Sequence, residues 1–517
     1  MAEQGFTKWI IVVTVIMASL LELIDTTVVN VALDQMMGNL GATLEDAAWV
    51  VTAYAVANVI ILPMTSWLSS KFGRKNYFAF SVMLFTVASF FCGHAHNIWE
   101  LAGFRFIQGI GGGALLSTSQ SIMMETFKRE DAGMAQAIFG MGVILGPAIG
   151  PILGGYIVTN YSWPWIFYIN LPLGVMAFIM ILTFIKESPH RRDIDEIDWL
   201  GIFLLVVSVG SLQIFLERGQ TEDWFSTTYI TVLAFTSAIG AVSFIWWELV
   251  CKHPIVDLRI LRDKQISYGM IFTFVLGFGL FGSIFAFPIF LQSLLGFTAA
   301  QVGVILVPSS LATVVMMPFI GIALRKKFPP QIMACIGMLI FAIFSWWMSK
   351  ANLSSGLKDF FWPLMLRGVG LSLLFVPLTT MALSGLQRKD IAQGTGLNNM
   401  VRQLGGSFGV ALISTFLARR IVFHRNELVP NISMYNGATV DRYNAFTQNF
   451  VGKGYSLSAA QTMAAQALDG TMSAQVALLS YMDIFIVVGY LFLVVAPLVL
   501  LQRTSKKAQG PMQLDAH

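Results

Sequence analysis

Acidic side chains inside a long apolar run are the residues of this chain best placed to do chemistry. Glu22 and Asp25 lie three positions apart within the run 9–33, so a helix there carries both on one face. Two carboxyl groups this close in a medium of low dielectric constant do not both ionise without cost, and we expect one of them to hold a proton. A carboxyl group that binds and releases a proton as its exposure alternates is what proton-coupled transport requires.

Arg105, Arg367 and Arg402 are the other charges that lie deep in apolar runs. A charge at such a position costs about 2.5–3.5 kcal/mol on insertion scales, so each needs a partner or a role. At 1.5 Å per residue, Asp25 and Arg105 lie at depths that differ by roughly 3 Å, which predicts that they make contact. A purely structural ion pair that fixes two helices would satisfy the same spacing.

Glycine recurs at every fourth position in the run 132–158, where the sequence reads GMGVILGPAIGPILGG. The stripe consists of Gly142, Gly146, Gly150 and Gly154. Such a stripe lets a second helix approach closely, and the two prolines within it, Pro147 and Pro151, favour a bend. Tight packing alone would explain the pattern as well as a hinge or a seal would.

The side chains needed for enzymatic chemistry are not clustered in the apolar runs. The cysteines, Cys92, Cys251 and Cys335, have no metal-ligand spacing, and the histidines lie at boundaries, in connections or in the tail. The sequence has no Gly-Lys-Ser/Thr phosphate-binding loop. We therefore expect that this chain is not an enzyme, binds no metal or other cofactor and is not driven by ATP.

The deep charges must be positioned by helices that cross a membrane. Of the 517 residues, 56% are hydrophobic and 12% are charged, which is about half of the charged fraction of a soluble protein. Runs of about 20 apolar residues are long enough to cross the hydrocarbon layer. We count fourteen such runs, which predicts an all-α integral membrane protein. The runs are 9–33, 47–69, 77–95, 99–124, 132–158, 164–185, 198–217, 226–248, 266–293, 299–323, 331–349, 360–383, 392–418 and 480–502.

Lysine and arginine residues are distributed unevenly between the connections. With the N-terminus inside, the cytoplasmic segments hold 21 of them, and the short outside loops hold only Arg218, Lys350 and Lys358. By the positive-inside rule this distribution predicts that both termini are cytoplasmic.

One connection, at about 419–479, is much longer than the others and is expected outside the membrane. Its sequence favours a helix, because Ser458 and Gln461 have the spacing of a capping box. The segment is either an interaction platform or a solvated appendage without a partner.

An internal repeat relates the two ends of the chain. The segment that starts at Lys128 aligns with the segment that starts at Gln387, and the run around Arg105 aligns with the run around Arg367. The matched pairs are Arg129 with Arg388, Asp131 with Asp390, Gly146 with Gly405 and Gly150 with Gly409.

Two related bundles imply a transporter whose site lies between them and opens alternately to each side. We therefore predict an N-terminal six-helix bundle at 1–190, two inserted transmembrane helices at 191–260 and a C-terminal six-helix bundle at 261–517. Arg367 and Arg402 are candidate counterparts, in the second bundle, of the charges in the first.

These motifs together resemble the fourteen-span drug:proton antiporter branch of the major facilitator superfamily, and within it the EmrB-like multidrug export proteins. LIDTTVVNVAL around Asp25 is similar to the first-span motif of that branch, and RFIQGIGGG from Arg105 is similar to its fourth-span motif. The fifth run fits the antiporter motif. Its residues are Gly142, Gly146, Pro147, Gly150, Pro151, Gly154 and Gly155.

The resemblance implies proton-driven efflux of hydrophobic drugs and toxic compounds across the bacterial inner membrane, with Asp25, Glu22 and Arg105 as the proton-coupling residues. It implies a periplasmic adaptor of the EmrA type and an outer-membrane channel of the TolC type as partners, besides the membrane lipid. The alternative is a dedicated exporter of an endogenous metabolite such as a fatty acid or a siderophore.

The connection after the second run departs from the superfamily pattern Gly-x-Leu-x-Asp-x-x-Gly-Arg. Gly73 and Arg74 fit the pattern, whereas Ser66 and Ser70 replace its glycine and its acid. Arg74 is expected to brace a cytoplasmic gate, without the charge relay that the missing acid would provide.

No residue is assigned to substrate binding from the sequence. The phenylalanine-rich run FTFVLGFGLFGSIFAFPIF of the ninth span is a candidate wall of a greasy cavity, and a lipid-facing surface would explain the same composition.

Overall fold

The computed structural model describes residues 5–188, 196–387, 390–433 and 435–502. This part of the chain folds into sixteen α-helices joined by short connections and contains no strand. Several of the basic residues counted above on the cytoplasmic side lie outside the described residues. These are Arg191, Arg192, Arg388, Lys389, Arg503, Lys506 and Lys507.

Seven helices form the N-terminal half, hereafter the N-half. They are α1 Phe6–Leu40, α2 Leu44–Phe72, α3 Arg74–Gly93, α4 Ile98–Thr126, α5 Ala132–Asn160, the short α6 Trp165–Tyr168 and α7 Asn170–Phe184. The last two together make one span, Trp165–Phe184.

Two helices follow as an inserted pair, and seven more form the C-terminal half, hereafter the C-half. The inserted pair is α8 Trp199–Arg218 and α9 Thr228–Val250. The C-half is α10 Lys264–Ile289, α11 Ala299–Arg325, α12 Pro330–Met348, α13 Phe361–Leu383, α14 Ile391–Leu428, α15 Gly437–Gly452 and α16 Leu457–Leu500.

Fourteen helical spans of the described chain match the fourteen predicted runs. Thirteen are long and apolar enough to cross a membrane by length and composition. The remaining one is α4, which has 29 residues but is rich in glycine, serine and glutamine. Most of those polar side chains are buried against neighbouring helices, so α4 does not need an apolar surface. The all-α, fourteen-span prediction is confirmed.

The repeat read from the sequence corresponds to the same packing in both halves. In the N-half α5 packs on α1, where a Cβ added at Gly146 would lie 2.5 Å from Leu23 Cβ. In the C-half α14 packs on α10, where a Cβ added at Gly409 would lie 2.6 Å from the Phe278 carbonyl oxygen. Only glycine permits backbones to approach this closely.

One end of the bundle carries the α2–α3 connection at Gly73 and the end of α11 at Arg325. We call it the basic end. The two halves contact each other near it: Arg325 Nε of the C-half lies 3.1 Å from Asp131 Oδ1 of the N-half. A Cβ added at Gly396 of α14 would lie 2.8 Å from the Leu62 carbonyl oxygen of α2. The two halves are therefore in contact near the basic end.

The first helix of the inserted pair, α8, lies over the contact between α2 and α14 and is bound to both. Gln213 of α8 donates from Nε2 to Ser407 Oγ of α14 at 2.9 Å. Arg218 of α8 donates from Nη1 to the carbonyl oxygen of Glu45, in the first turn of α2, at 3.0 Å. The first inserted helix, α8, thus joins the two halves, whereas α9 packs against α8.

The segment predicted as a long connection at about 419–479 is mostly helical. The helix α14 continues to Leu428, α15 follows, and α16 begins at Leu457. The capping-box assignment to Ser458 was wrong: the N-cap is Ser456, whose hydroxyl accepts a hydrogen bond from Ala459 N at 3.4 Å.

Some of the phenylalanines of the ninth span are buried inside the C-half. Phe287 and Phe290 of this span are 1% and 0% exposed, and they contact Phe360 and Tyr481 of neighbouring elements. They form the core of the C-half, because α10 packs between α13, α14 and α16.

Candidate functional site

Asp25 and Arg105 form an ion pair between α1 and α4, as their predicted depths indicated. Arg105 Nη1 donates to Asp25 Oδ2. Arg105 is only 1% exposed, and Asp25 is 0% exposed. The guanidinium also lies over the ring of Tyr54, with Cζ 4.2 Å from the ring centroid. The pair is therefore removed from lipid and solvent alike.

Two amide side chains complete the shell around the Asp25 carboxyl group. Gln108 Nε2 and Asn170 Nδ2 each donate to Asp25 Oδ1 at 2.8 Å. Ser89 Oγ links them, because it accepts from Gln108 at 2.8 Å and from Asn170 at 3.4 Å. Arg105 and Gln108 of α4 and Asn170 of α7 all donate to the carboxyl group, which is the arrangement that an ionised carboxylate needs.

The sequence interpretation did not find this shell. Gln108 lies one turn after Arg105, so its position on the same face of α4 was available from the i, i+3 spacing. Asn170 opens α7, 145 positions after Asp25, and Ser89 lies on α3. Only the packing of four helices brings these residues together.

Glu22 lies one turn before Asp25 on α1 but has a different environment. Its Oε1 accepts a hydrogen bond from Asn58 Nδ2 at 2.8 Å and its Oε2 accepts one from Leu116 N at 3.1 Å. It is 5% exposed, and no ion pair within the described residues includes it. The two acids predicted to share a face thus differ: Asp25 is paired with a cation, and Glu22 is bound by neutral donors.

The two arginines of the C-half do not reproduce the Asp25–Arg105 pair. Arg367 of α13 donates from Nη2 to Ser283 Oγ of α10 at 3.1 Å, and its buried Nε has no partner. Arg402 of α14 is 4% exposed, and its Nη1 has no partner. Because α10 offers a serine where α1 offers an aspartate, the repeat preserves the arginine but not its counter-ion.

The glycine stripe of α5 lies along α1, which carries both acids. A Cβ added at Gly142 would lie 2.9 Å from Ile16 Cγ2, and one added at Gly154 would lie 2.9 Å from Val28 Cγ2. One added at Gly150 would collide with Thr27 Oγ1.

Pro147 and Pro151 are inside α5, which remains a helix of 29 residues. The last glycine of the motif, Gly155, is different. A Cβ added there would have Ala300 N of the C-half as its nearest atom, at 3.8 Å. The stripe therefore fixes the distance between α5 and the helix that carries Glu22 and Asp25.

The connection at Gly73 and Arg74 holds the N-half together at the basic end. Gly73 has a φ of +87°, and a Cβ there would lie 2.9 Å from Glu187 Oε2, so glycine is required. Arg74 Nη1 forms an ion pair with Glu125 Oε2 at the end of α4, and Arg74 N donates to Glu187 Oε1. The brace thus lies within the N-half, while the ion pair between the halves is Arg325–Asp131.

Comparison with known proteins identifies the family. The Major Facilitator Superfamily model matches residues 15–410 of this chain. The multidrug export protein EmrB of Escherichia coli strain K12 is 34% identical over 436 residues, which are 84% of this chain and 85% of that protein. The fatty acid resistance protein FarB of Neisseria gonorrhoeae is 32% identical over 495 residues, 96% of each chain. The chain belongs to the Major Facilitator Superfamily, as its motifs predicted.

A solved structure shows the same fold. The human organic anion transporter MFSD10 aligns with a TM-score of 0.58 over 95% of this chain and 100% of its own, at 14% sequence identity. With the apolar helices and the relatives above, this makes the chain a multi-pass inner-membrane protein of a transporter family.

Proposed function

We propose that this protein is a proton-coupled exporter that moves hydrophobic drugs and other toxic compounds across the bacterial inner membrane by alternating access. The observation that carries the proposal is the pair of buried acids on α1, Glu22 and Asp25, in a helix that packs against the glycine stripe of α5. Acids buried in the membrane are costly, and a transport pathway is the usual reason to keep them.

The proton-coupling group consists of Asp25, Glu22 and Arg105. For Asp25 to take up a proton, Arg105 must give up its ion pair, and the two amide donors must turn to offer an acceptor. Such a rearrangement requires α1 and α4 to shift, so proton binding at this position is tied to movement within the N-half. Glu22 needs no cation to leave, because its partners are the amide of Asn58 and a backbone N–H.

The basic end of the bundle is cytoplasmic in this proposal, and both termini lie on that side. The excess of lysine and arginine in the connections of that end supports the orientation. The structure, closed at the basic end by Arg325–Asp131 and by the contact of Gly396 with Leu62, then corresponds to the state closed toward the cytoplasm.

Drug export is supported by the relatives that carry the name multidrug export protein. A tripartite arrangement, with an adaptor of the EmrA type and a channel of the TolC type, is the finer part of the proposal. The helical segment beyond the membrane, formed by the ends of α14 and α16 together with α15, is the surface that we assign to the adaptor.

A dedicated exporter of a metabolite such as a fatty acid is the second candidate. The observation that favours it is the relative from Neisseria gonorrhoeae, a fatty acid resistance protein that aligns with 96% of this chain. Growth protection by the chain in a strain lacking its own exporters, measured against several drugs and against long-chain fatty acids, separates the two candidates.

The first prediction tests the coupling assignment in proteoliposomes that hold the purified full chain and a lipophilic fluorescent dye. Asp25→Asn removes the counter-ion of Arg105, so we expect dye transport driven by a pH gradient to fall at least tenfold. Exchange of dye for dye across the membrane needs no net proton movement, and we expect it to persist. The assay measures both rates in the same preparation.

Asp34→Asn, at the end of α1 outside the buried cluster, is the matched control and is expected to transport like the unaltered chain. Gradient-driven transport that survives in Asp25→Asn would contradict the role of Asp25. If Glu22→Gln alone lost it, Glu22 would be the carrier. Loss of gradient-driven transport in neither variant would contradict the whole coupling group.

A further inference from the structure

Glu22 and Arg402 are buried charges of opposite sign, one in each half, and neither has an ion-pair partner among the described residues of its own half. Glu22 of the N-half is bound only by neutral donors, and the guanidinium of Arg402 in the C-half lies over the Phe375 ring at 5.1 Å, with Nη1 unpartnered. A buried charge without compensation costs several kcal/mol. Each of these side chains therefore requires an opposite charge nearby.

The contact between α4 and α14 brings the two charges toward each other. Leu116 N of α4 donates to Glu22, and the next residue, Ser117, accepts a hydrogen bond from Asn399 Nδ2 of α14 at 3.1 Å. Arg402 lies three positions after Asn399, on the same face of α14. The chain of contacts from Glu22 to Arg402 thus crosses the boundary between the halves.

The charges that act on this position are few. Arg402 attracts Glu22 across the boundary, and Asp25, on the same helix as Glu22, repels it. The charge of Asp25 is already compensated by Arg105. Among the described residues, Glu22 is therefore the acid that acts on Arg402, and it does so from the opposite half.

We propose that Arg402 is a coupling residue that responds to the proton on Glu22, and that the attraction between the two, deep in the bundle, favours the arrangement of the halves that is closed at the basic end. This proposal rests on the proposed function, in which Glu22 is a proton carrier. A proton bound to Glu22 removes its charge and the attraction, and the basic end is then free to open. Release of the proton to the cytoplasm restores the attraction, and the basic end closes.

This order of events is the one that exchange of a proton for a drug requires. A proton taken up from the outer side drives opening toward the cytoplasm, and the deprotonated form closes again after a substrate has bound. The substrate is then carried outward by the deprotonated protein. The proton is carried inward by the protein without substrate.

The test is a double-variant cycle that measures opening of the basic end directly and needs no substrate. Spin labels are placed at Lys128→Cys and Lys326→Cys, two exposed positions on opposite halves at that end. The distance distribution is recorded by pulsed electron paramagnetic resonance in nanodiscs. The background has its native cysteines replaced through Cys92→Ala, Cys251→Ala and Cys335→Ala.

Glu22→Gln and Arg402→Gln are each expected to raise the ratio of open to closed molecules, on the order of fivefold. The double variant is expected to change the ratio of open to closed molecules no more than either single variant does. The reason is that all three variants lose the same interaction, the one between Glu22 and Arg402. Arg402→Lys keeps the charge and is expected to remain closed. Arg420→Gln, an arginine of the same helix whose ion pair with Asp483 lies within the C-half, is the control without an effect.

Independent effects, in which the ratio for the double variant is the product of the two single ratios, would overturn the proposal. An unchanged ratio in Arg402→Gln would also overturn it. If that variant does not yield folded protein, Arg402→Met supplies a second neutral side chain of similar length for the same cycle. If only this proposal is wrong, the double-variant cycle shows independent effects while the unaltered chain still transports dye along a pH gradient. If the proposed function is wrong, the unaltered chain does not transport dye, whatever the cycle shows.

Discussion

At the scale of single residues, two acids on one turn of α1 have been given different surroundings. Asp25 is held by one guanidinium and two amides, so its charge is compensated in place. Glu22 is held by two neutral donors, and in our proposal it is attracted by Arg402 of the other half. The first arrangement resists change within the N-half, and the second responds to the distance between the halves.

Asn170 provides a prediction at this scale, because it is the donor to Asp25 that the sequence did not reveal. Asn170→Leu removes one hydrogen bond from a buried carboxylate and is expected to cost about 1–3 kcal/mol of stability. We also expect gradient-driven dye transport to fall more than dye exchange does, since the shell that holds Asp25 is incomplete. Thermal unfolding and the two transport rates measure these effects.

The control for that variant is Asn160→Leu, whose exposed amide bonds only to the Tyr156 carbonyl oxygen of its own helix. It is expected to change stability by less than about 0.5 kcal/mol. Partial recovery of gradient-driven transport in Asn170→Gln, which retains an amide donor, would support the role. Equal losses of gradient-driven transport and exchange would indicate that Asn170 only stabilises the fold.

At the scale of the elements, the glycines of α5 and α14 decide how closely each helix approaches the first helix of its half. Gly150 faces Thr27 of α1, and its counterpart Gly409 faces the Phe278 backbone of α10. The same geometry in both halves explains why the matched glycines of the repeat lie along these two helices. The charged partners diverged, while the helix contact did not.

Gly150→Ala tests this contact with a single methyl group. The added Cβ would collide with Thr27 Oγ1, and the Ile24 carbonyl oxygen at 3.2 Å leaves no room to shift. Overpacking of this kind costs about 1–3 kcal/mol, so we expect a lower thermal midpoint and slower transport. Thermal unfolding in detergent micelles measures the first effect.

Gly155→Ala is the matched control in the same helix, because the nearest atom to its added Cβ is 3.8 Å away. It is expected to unfold at the same temperature as the unaltered chain. An equal loss in both variants would mean that helix flexibility, and not the close approach of α1, is what these glycines provide.

At the scale of the whole molecule, the orientation in the membrane follows from charge and not from packing. Basic side chains gather at one end of the bundle, and a membrane translocates segments of few positive charges more readily. The halves touch at that same end through Arg325–Asp131. The side of the membrane on which the basic end lies therefore decides which compartment the closed end of the bundle faces.

Cysteine labelling in intact cells checks this orientation. In the cysteine-free background, Lys326→Cys at the basic end is expected to resist a membrane-impermeant maleimide until the cells are lysed. Lys358→Cys, exposed in the connection between α12 and α13 at the other end, is expected to react in intact cells. The opposite pattern of labelling would reverse the proposed topology.

The sequence by itself determined the helical class, the fourteen spans and the family. It also indicated the contact between Asp25 and Arg105, because hydrophobic run length and depth in a membrane are properties of the linear chain. It indicated that glycines every four residues seat a neighbouring helix, since that spacing defines one face.

Tertiary structure alone decided which side chains surround each of those charges. Gln108 and Asn170 donate to Asp25 from two different helices, and Ser89 of a third helix accepts from both of them. Ser117 and Asn399 carry the contact from Glu22 toward Arg402. Apart from Gln108, which lies one turn after Arg105, these residues have no sequence signature, because the partners are far apart along the chain and ordinary in type.

The same reason explains why two features stayed open in the sequence. The phenylalanines of the ninth span fitted a cavity wall or a lipid-facing surface, and two of them, Phe287 and Phe290, lie in the core of the C-half. The segment at about 419–479 was expected outside the membrane with a helix of its own, and it consists mainly of α15 and the extensions of α14 and α16. The composition of such segments determines that they are apolar or helical. Which neighbouring side chains cover them is determined only by the packing of the helices. For Glu22 and Asp25, those neighbours decide which acid is locked by a cation and which one senses the other half.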